Sequence, residues 1–476
     1  MIFSSYRFIF IFLPVALAGF WLAARFFGAR GGKIWLVAAS LFFYGQGKAE
    51  FLPILVGTLL FNYGIVWLLG QVRKDGGRTQ GPPLLMAVAV LENLGLLFYF
   101  KYYNFFIENV NRALGTGFAL SDALLPLGIS FYTFLILGYV VDVYKGADKA
   151  GSLLDYAVFV TFFPHLIVGP ISRHEGLAKQ LGAPEFGKIT QRNIMLGILL
   201  FAIGCAKKVL VADPLIAHAQ HFYNVAGNGN FFEAWGGVAA YTFAYYFDFS
   251  GYCDMAVGLG LLMNIQLPFN FDSPYKAVNY ADFWRRWNIT ISLFLNEHIF
   301  KNIFRFGNPL WKLMLATLAT FAVSGVWHGA GWTFIVWGLV NGVLVCGANV
   351  MTIKRKKIPS WLGWASTFFF TLLTRVLFDS NSLGQAAAVY RCLFDLRPLF
   401  RDAGGFAGLF VQYVTGNPMV CALALAGAGI CFFAPNTKEI AGRFEPRWFH
   451  AVGAGVMLAV SLFFMGEVSG FLYFAF

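Results

Sequence analysis

The sequence predicts an all-α integral membrane protein, and three observations carry that prediction. Of 476 residues, 58% are apolar and only 12% charged, with a mean hydropathy of +0.65, too little polar side chain to coat a soluble globule of this length. The apolar residues form long unbroken runs, unlike the ~10-residue alternating segments of a membrane β-barrel. The basic residues, whose excess gives a net charge of +12, sit in short clusters between those runs, where they orient spans. That placement argues against nucleic acid as a partner.

Along the chain, the candidate spans begin with 6–27, which ends in "LAARFF". An Ala-Leu-Ala within it resembles a signal-peptidase site, but apolar residues continue to Phe27 and only Arg7 marks the start, so the segment reads as a retained span. A hairpin follows within 34–70, turning at "GQGKAE", then spans at 84–100, 123–141, 193–211 and 235–247. The later ones are 310–325, 331–350, 361–378, 418–433 and 449–466. Two stretches differ. "YAVFVTFFPHLIVGPIS" (156–172) is short and holds Pro164 and Pro170, and "GYCDMAVGLGLLMNIQLPF" (251–269) holds Asp254 and three glycines. Both read as re-entrant, because freed backbone groups need shielding from lipid. The six cysteines form no CxxC pair and read as small core residues. With no internal repeat and no long hydrophilic stretch, the chain reads as one membrane domain spanning 1–476.

Basic clusters mark candidate cytoplasmic loops: Arg25, Arg30 and Lys33; Arg73, Lys74 and Arg78; Lys145 and Lys149; Arg285 and Arg286; and "KRKK" at 354–357. Counting from the last, 361–378 runs out, 418–433 returns to the loop with Lys438, Arg443 and Arg447, and 449–466 runs out again. The tail 467–476, which ends "FLYFAF" and carries Tyr473, then starts on the extracytoplasmic side. Against this orientation, Arg391, Arg397 and Arg401 fall in an outer loop.

Three polar sites stand out. Positions 313–353 carry no formal charge, yet His328 sits in "SGVWHGAGW", where two spans must turn. An ionisable residue there is a functional candidate, with a histidine bonded between helices as the plain alternative. Gly325, Gly329 and Gly331 favour the first, since they admit close approach to the imidazole. "YFDFSGYCDMAVGLG" places Asp248, Ser250, Tyr252 and Asp254 in apolar sequence, either for ligand contact or for interhelical hydrogen bonds. "YADFWRRWNITIS" sets Arg285 and Arg286 between Trp284 and Trp287, just before Asn288, as a membrane-boundary anchor or a grip on a phosphorylated ligand. No GxSxG, Walker loop or HExxH is present. His218 and His221 stand three apart without a thiol or carboxylate to complete a metal set, and read as a solvent-facing pair.

Taken in order, "MIFSSYRFIFIFLP", "LLPLGISFYTF", "FFPHLIVGPISR", "YFDFSGYCDMAVGLG", "FWRRWNITIS", "WHGAGWTFIVWG", "APNTKEI" and "FLYFAF" resemble the membrane-bound O-acyltransferase family, in its bacterial alginate O-acetyltransferase-like branch. The resemblance covers nearly the whole chain. It implies a ring of about 11 transmembrane helices plus re-entrant segments around a central tunnel, with His328 matching the family histidine. Asn288 matches the second signature position, where bacterial polysaccharide acetylases often carry His and many other members Asn. The stretch "LFLNEHIFKNIFRFGNP" departs from the pattern usual after it. The expected catalytic residues are therefore His328, Asn288 and Tyr473; the expected substrate-binding residues are Arg285, Arg286, Asp248, Ser250, Tyr252, Asp254 and Trp327.

What the resemblance implies about activity is acyl transfer from a cytoplasmic thioester, usually acetyl-coenzyme A, across the bacterial inner membrane toward an envelope polysaccharide, with no permanently bound cofactor or metal. A C-terminal tyrosine in a motif like FLYFAF serves related systems as an acyl carrier. The implied partners are a separate extracytoplasmic acetyltransferase that modifies the polymer, the polysaccharide synthesis machinery and the lipid bilayer. A phenol suits the carrier role: with a thiol near pKa ~8.5 and a phenol near ~10, an ester on Tyr473 keeps most of the thioester's reactivity. A transporter or flippase of a lipid-linked sugar also explains intramembrane polar residues, but the paired halves common in transporters are not visible. A scaffold in an envelope-synthesis complex needs neither His328 nor Tyr473.

Overall fold

The computed structural model describes residues 1–76, 81–225, 229–397, 400, 405–466 and 470–472. Of the residues singled out above, Arg78, Arg401, Tyr473 and most of the tail 467–476 lie outside them, as do the side chains of Arg73 and Lys74. The described residues are helical throughout their regular structure and contain no strand.

Among the described residues, seven helices are long and apolar enough to cross a membrane: Phe8–Gly45, Ala49–Val72, Pro83–Leu114, Gln191–Asn224, Leu310–His328, Trp332–Ile353 and Ser360–Asp379. An eighth span arises if Gly405–Gly416 and Pro418–Phe433, bent by 93°, form one broken crossing. The sequence predicts about eleven spans, and the difference has identifiable sources. The segments expected at 123–141 and 449–466 form helices of 17 residues, Ile129–Lys145 and Trp448–Phe464. The one expected at 235–247 is part of a 32-residue helix, Phe231–Leu262. That helix is rich in Tyr and is buried along most of its length, so it faces protein where a lipid-facing span would carry aliphatic residues.

The same helix revises the reading of 251–269. No break separates 235–247 from Gly251; helix continues to Leu262 and only then gives way to a partly exposed loop. Its glycines serve close packing. A Cβ on Gly258 would lie 2.6 Å from the Gly197 carbonyl oxygen and 2.8 Å from the Phe201 nitrogen, so the two backbones touch where neither helix has a side chain. The segment 156–172 does break as expected: Leu153–Thr161 ends at Phe162, a one-turn helix Phe163–Leu166 follows with Pro164 in its first turn, and Phe159 to Pro170 are buried. Protein, not lipid, surrounds that irregular backbone. The first long helix is interrupted at Gly28, whose φ of +64° is outside the helical range and divides 6–27 from the arm that follows.

The chain forms two compact units. Of the described residues, one unit comprises Met1–Cys205, Tyr252–Phe269, 444–466 and 470–472; the other comprises Ala206–Gly251 and Asn270–Arg443. The first is filled by rings: Phe3, Phe8, Phe12, Phe43 and Phe163 pack with centroids 5.0 to 6.3 Å apart. The second holds the hairpin of Leu310–His328 and Trp332–Ile353 and the aromatic cluster around Trp287.

Gly258→Val tests the backbone contact in the first unit. Because the neighbouring atoms are backbone and cannot swing aside, the substitution is expected to cost about 1–3 kcal/mol, read as a lowered thermal transition of the detergent-solubilised protein; an unchanged transition refutes the contact.

Candidate functional site

Asn288 is fixed by its backbone before its side chain is considered. It lies between two short helices, Tyr280–Arg286 and Ile289–Leu295, in the left-handed conformation (φ 43°, ψ 58°). On one side the Trp287 N–H donates to the Phe283 carbonyl at 2.9 Å; on the other the Ile289 N–H donates to the Asn270 carbonyl at 2.9 Å. The Thr290 hydroxyl donates to Asn270 Oδ1 at 2.6 Å, and the Asp272 N–H to the Arg286 carbonyl at 3.0 Å. A loop at 270–272 thus pins the turn at both ends. Asn tolerates this conformation better than nearly all other residues, together with Asp and His. Asn288 is buried, and its Oδ1 has no hydrogen-bond partner.

The 270–272 loop is held in turn by Asn436, which caps the helix Thr437–Gly442 and donates to Asp272 Oδ1 at 3.0 Å, and by Lys438, which reaches Asp272 Oδ2 at 2.6 Å. Partial burial raises the Asp272 pKa, but the hydrogen bonds from Lys438 and Asn436 outweigh it and hold the carboxyl below its ordinary value. Its contribution to stability is present above the ordinary Asp range and is lost as pH falls through the depressed value.

His328 is the last residue of Leu310–His328, at the turn of the hairpin. It is buried, with the Trp327 ring centroid at 4.8 Å and Trp337 and Phe378 edge-on, each at 5.1 Å. The glycines beside it allow this packing: a Cβ on Gly325 would meet the Phe334 carbonyl oxygen at 2.4 Å, and one on Gly338 the Phe321 carbonyl oxygen at 2.4 Å. The two helices therefore run in backbone contact up to the imidazole.

Asn288 and His328 line one cavity of about 570 Å³. Thr317, Thr320, Phe321, Ser324 and His328 form one of its walls, a stripe at helical spacing along Leu310–His328. From Thr317 to His328 that stripe runs about 16 Å at 1.5 Å per residue, and Asn349 and Thr352 line the cavity from the antiparallel helix. It is a long, partly polar slot with an imidazole at the hairpin turn. An imidazole at His328 and a carboxamide at Asn288, both lining this slot, can take a proton from a nucleophile and hydrogen-bond a polar substrate.

The remaining expected residues divide. Arg285 lines the same cavity with its side chain largely exposed, and reaches Asp282 at 3.2 Å. Arg286 pairs with Asp282 at 2.9 Å and does not line it. Trp327 packs on His328. Asp248 has a different setting: Lys208, fully buried, reaches it at 2.6 Å and the half-buried Asp213 at 2.8 Å, making a charge triad whose lysine and Asp248 are buried. Ser250 is buried with an unpartnered hydroxyl. Tyr252 and Asp254 belong to the first unit, where Tyr252 stacks on Phe3 at 4.7 Å and meets Phe471 edge-on at 4.7 Å. Of the histidine pair, His221 is exposed and His218 Nε2 lies 3.4 Å from the Tyr413 hydroxyl. No group of three or more potential metal ligands occurs among the described residues.

Sequence reasoning passed over Arg375. It is buried in Ser360–Asp379, with its guanidinium 3.9 Å from the Tyr245 ring centroid, and Asp379 is 3.8 Å away. The signal was available, as a lone arginine inside "TFFFTLLTRVLF".

Lys208→Met leaves Asp248 buried without its cation, at an expected cost of about 3–5 kcal/mol. Thermal unfolding in detergent reads it, and Lys208→Met with Asp248→Asn should recover part of the loss; full stability of the single variant would mean that the triad is not formed.

Residues 90–379 match the family described as MBOAT, membrane-bound O-acyltransferase family. The chain is 34% identical to a peptidoglycan O-acetyltransferase of Helicobacter pylori, across 100% of this chain and 98% of that protein. It is 35% identical to the probable alginate O-acetylase AlgI of Pseudomonas aeruginosa, over 83% of this chain and 75% of that one. A teichoic acid D-alanyltransferase of Lacticaseibacillus rhamnosus is 26% identical over 66% of this chain and 76% of its own length.

Proposed function

Because the chain belongs to the membrane-bound O-acyltransferase family, we propose that it moves an acetyl group from a cytoplasmic thioester, acetyl-coenzyme A, across the inner membrane by way of an ester on Tyr473. The product is an O-acetylated envelope polysaccharide outside the cell, finished by a separate extracytoplasmic acetyltransferase working with the synthesis machinery. The protein itself is a multi-pass membrane-bound O-acyltransferase, which sets aside the transporter and scaffold readings.

The observation that carries the proposal is the joint placement of His328 and Asn288 on one cavity of about 570 Å³. The names of the relatives support a small acyl group and an envelope polymer, since they describe acetyl or D-alanyl transfer to peptidoglycan, alginate or teichoic acid. In the mechanism, His328 removes the phenolic proton as the Tyr473 oxygen attacks the thioester carbon. The carbonyl pair moves onto oxygen and returns as the C–S bond breaks, and the imidazolium protonates the departing thiolate. Asn288 either orients the imidazole or hydrogen-bonds the developing oxyanion. Arg285, at the rim, offers a guanidinium to the phosphates of the donor. Reach does not oppose the relay: from Gly466 to Tyr473 an extended chain covers about 25 Å at ~3.3 to 3.6 Å per residue, most of a hydrocarbon core of ~30 Å.

Purified protein incubated with radiolabelled acetyl-coenzyme A should release free thiol and carry label on Tyr473. Tyr473→Phe should abolish polymer acetylation while the protein remains folded in the membrane, and normal acetylation by that variant would end the relay. His328→Ala should lower thiol release by roughly 10²–10⁴-fold; undiminished release would remove the base assignment.

A further inference from the structure

A second, much smaller cavity adjoins the same histidine. It measures about 20 Å³ and is lined by His328, Trp287, Tyr245, Tyr280, Thr374 and Arg375, among others. That is room for one water-sized atom, since a water needs about 10–15 Å³ by the same measure. His328, Trp284 and Trp287 are common to the walls of both cavities. The imidazole therefore borders both a long slot and a one-atom niche.

The polar groups around the niche differ in what they have left to give. Tyr280 donates its hydroxyl hydrogen to Asn341 Oδ1 at 2.6 Å, and Thr374 donates to the Thr371 carbonyl at 3.2 Å. Arg375 is otherwise placed. Its guanidinium hydrogen-bonds the Tyr245 hydroxyl, and its central carbon lies over the rings of Tyr245, Phe378 and Trp287 at 3.9, 5.0 and 5.7 Å. Its Nε has no hydrogen-bond partner although the side chain is 8% exposed, and neither carboxylate oxygen of Asp379, whose side chain is 0% exposed, has one either. At 3.8 Å the pair is too far apart for a hydrogen bond. Unsatisfied buried polar atoms of this kind are rare and need a partner such as a water or a ligand atom, and the niche beside Arg375 and His328 has room for one such atom.

We infer that Arg375 is a further catalytic residue, whose guanidinium stabilises the oxygen of the tetrahedral intermediate in the niche beside His328. The inference rests on the acyl-transfer reading above. When the acceptor oxygen attacks the thioester carbon, a C–O bond forms and the carbonyl π pair becomes a lone pair on the carbonyl oxygen, which sits in the niche against Arg375. The acceptor proton goes to His328; the lone pair then re-forms the carbonyl, the C–S bond breaks and the proton passes to the thiolate. Asp379, four residues on, balances the buried charge without reaching the guanidinium closely enough to satisfy it.

The test measures thiol release from acetyl-coenzyme A by full-length protein in detergent or vesicles, which the wild type must first show if the acyl-transfer reading stands. Arg375→Met is made with Asp379→Asn, so that no carboxylate is left buried alone. The expected result is a fall in kcat on the order of 10²–10³-fold with the donor KM within about threefold, the pattern of an interaction made only in the transition state. Arg375→Ala should regain turnover when guanidinium ion is added, a rescue that a purely structural arginine does not give. A kcat within about threefold of wild type, a loss confined to KM, or no response to guanidinium overturns the assignment. If the double variant does not assemble, Arg375→Lys keeps the buried charge but not the fork; wild-type turnover by that variant equally overturns it.

Discussion

The geometry of the site depends on one backbone hydrogen bond, from the Ile289 N–H to the Asn270 carbonyl. A residue in the left-handed conformation is costly for most side chains, and two helices as short as Tyr280–Arg286 and Ile289–Leu295 cannot impose it alone. The loop at 270–272 does so by accepting from Ile289 and Thr290 and donating to Arg286, and Asn436 and Lys438 hold that loop. Irregular backbone inside an apolar protein survives only when its polar groups are met by neighbours. This chain meets them with an asparagine, a threonine and a lysine distant in sequence. The result is an amide at Asn288 whose direction is set by backbone, not by side-chain packing.

That constraint also explains which residue types suit the position. Asn and His, the two that the resemblance brings to it, share a tolerance for the left-handed region as well as a capacity to hydrogen-bond. The chemistry required there is thus partly a backbone requirement. At His328 the requirement is the reverse: the imidazole ends a regular helix, and the small residues Gly325 and Gly338 let two helices close until aromatic rings surround it.

Much of this was legible in the sequence. His328 stood out because an ionisable residue in a long apolar run is conspicuous, Asn288 because it matches a signature position of the family resemblance, and the break within 156–172 because its prolines do not fit a continuing helix. Other features were hidden for physical reasons. Asp248 looks like a ligand until its partner is known, and that partner, Lys208, is forty positions away in a π-helical turn whose register no periodicity reveals. The glycines after Gly251 suggested a break, yet they serve the contact between Gly258 and Gly197, which exists only once both helices are placed. Arg375 was visible as a charge but sat close enough to the expected end of its span at 378 to pass for a boundary residue. Only its burial shows otherwise.

Buried charge by itself does not separate structure from chemistry here; the degree of satisfaction does. In the second unit, Lys208 has two carboxylates at 2.6 and 2.8 Å, distances at which charge-assisted hydrogen bonds are complete. Such a group is expensive to disturb, and its charge is already met by two carboxylates. Arg375 and Asp379 stand 3.8 Å apart with three of their polar atoms unmet, in an interior of stacked rings where each unmet atom is costly. A fold under selection for stability alone would close that gap, as it closed the one at Lys208. Of that open pair, Arg375 lies on the wall of the cavity shared with His328, the place where a transient negative charge repays the desolvation that a resting arginine does not.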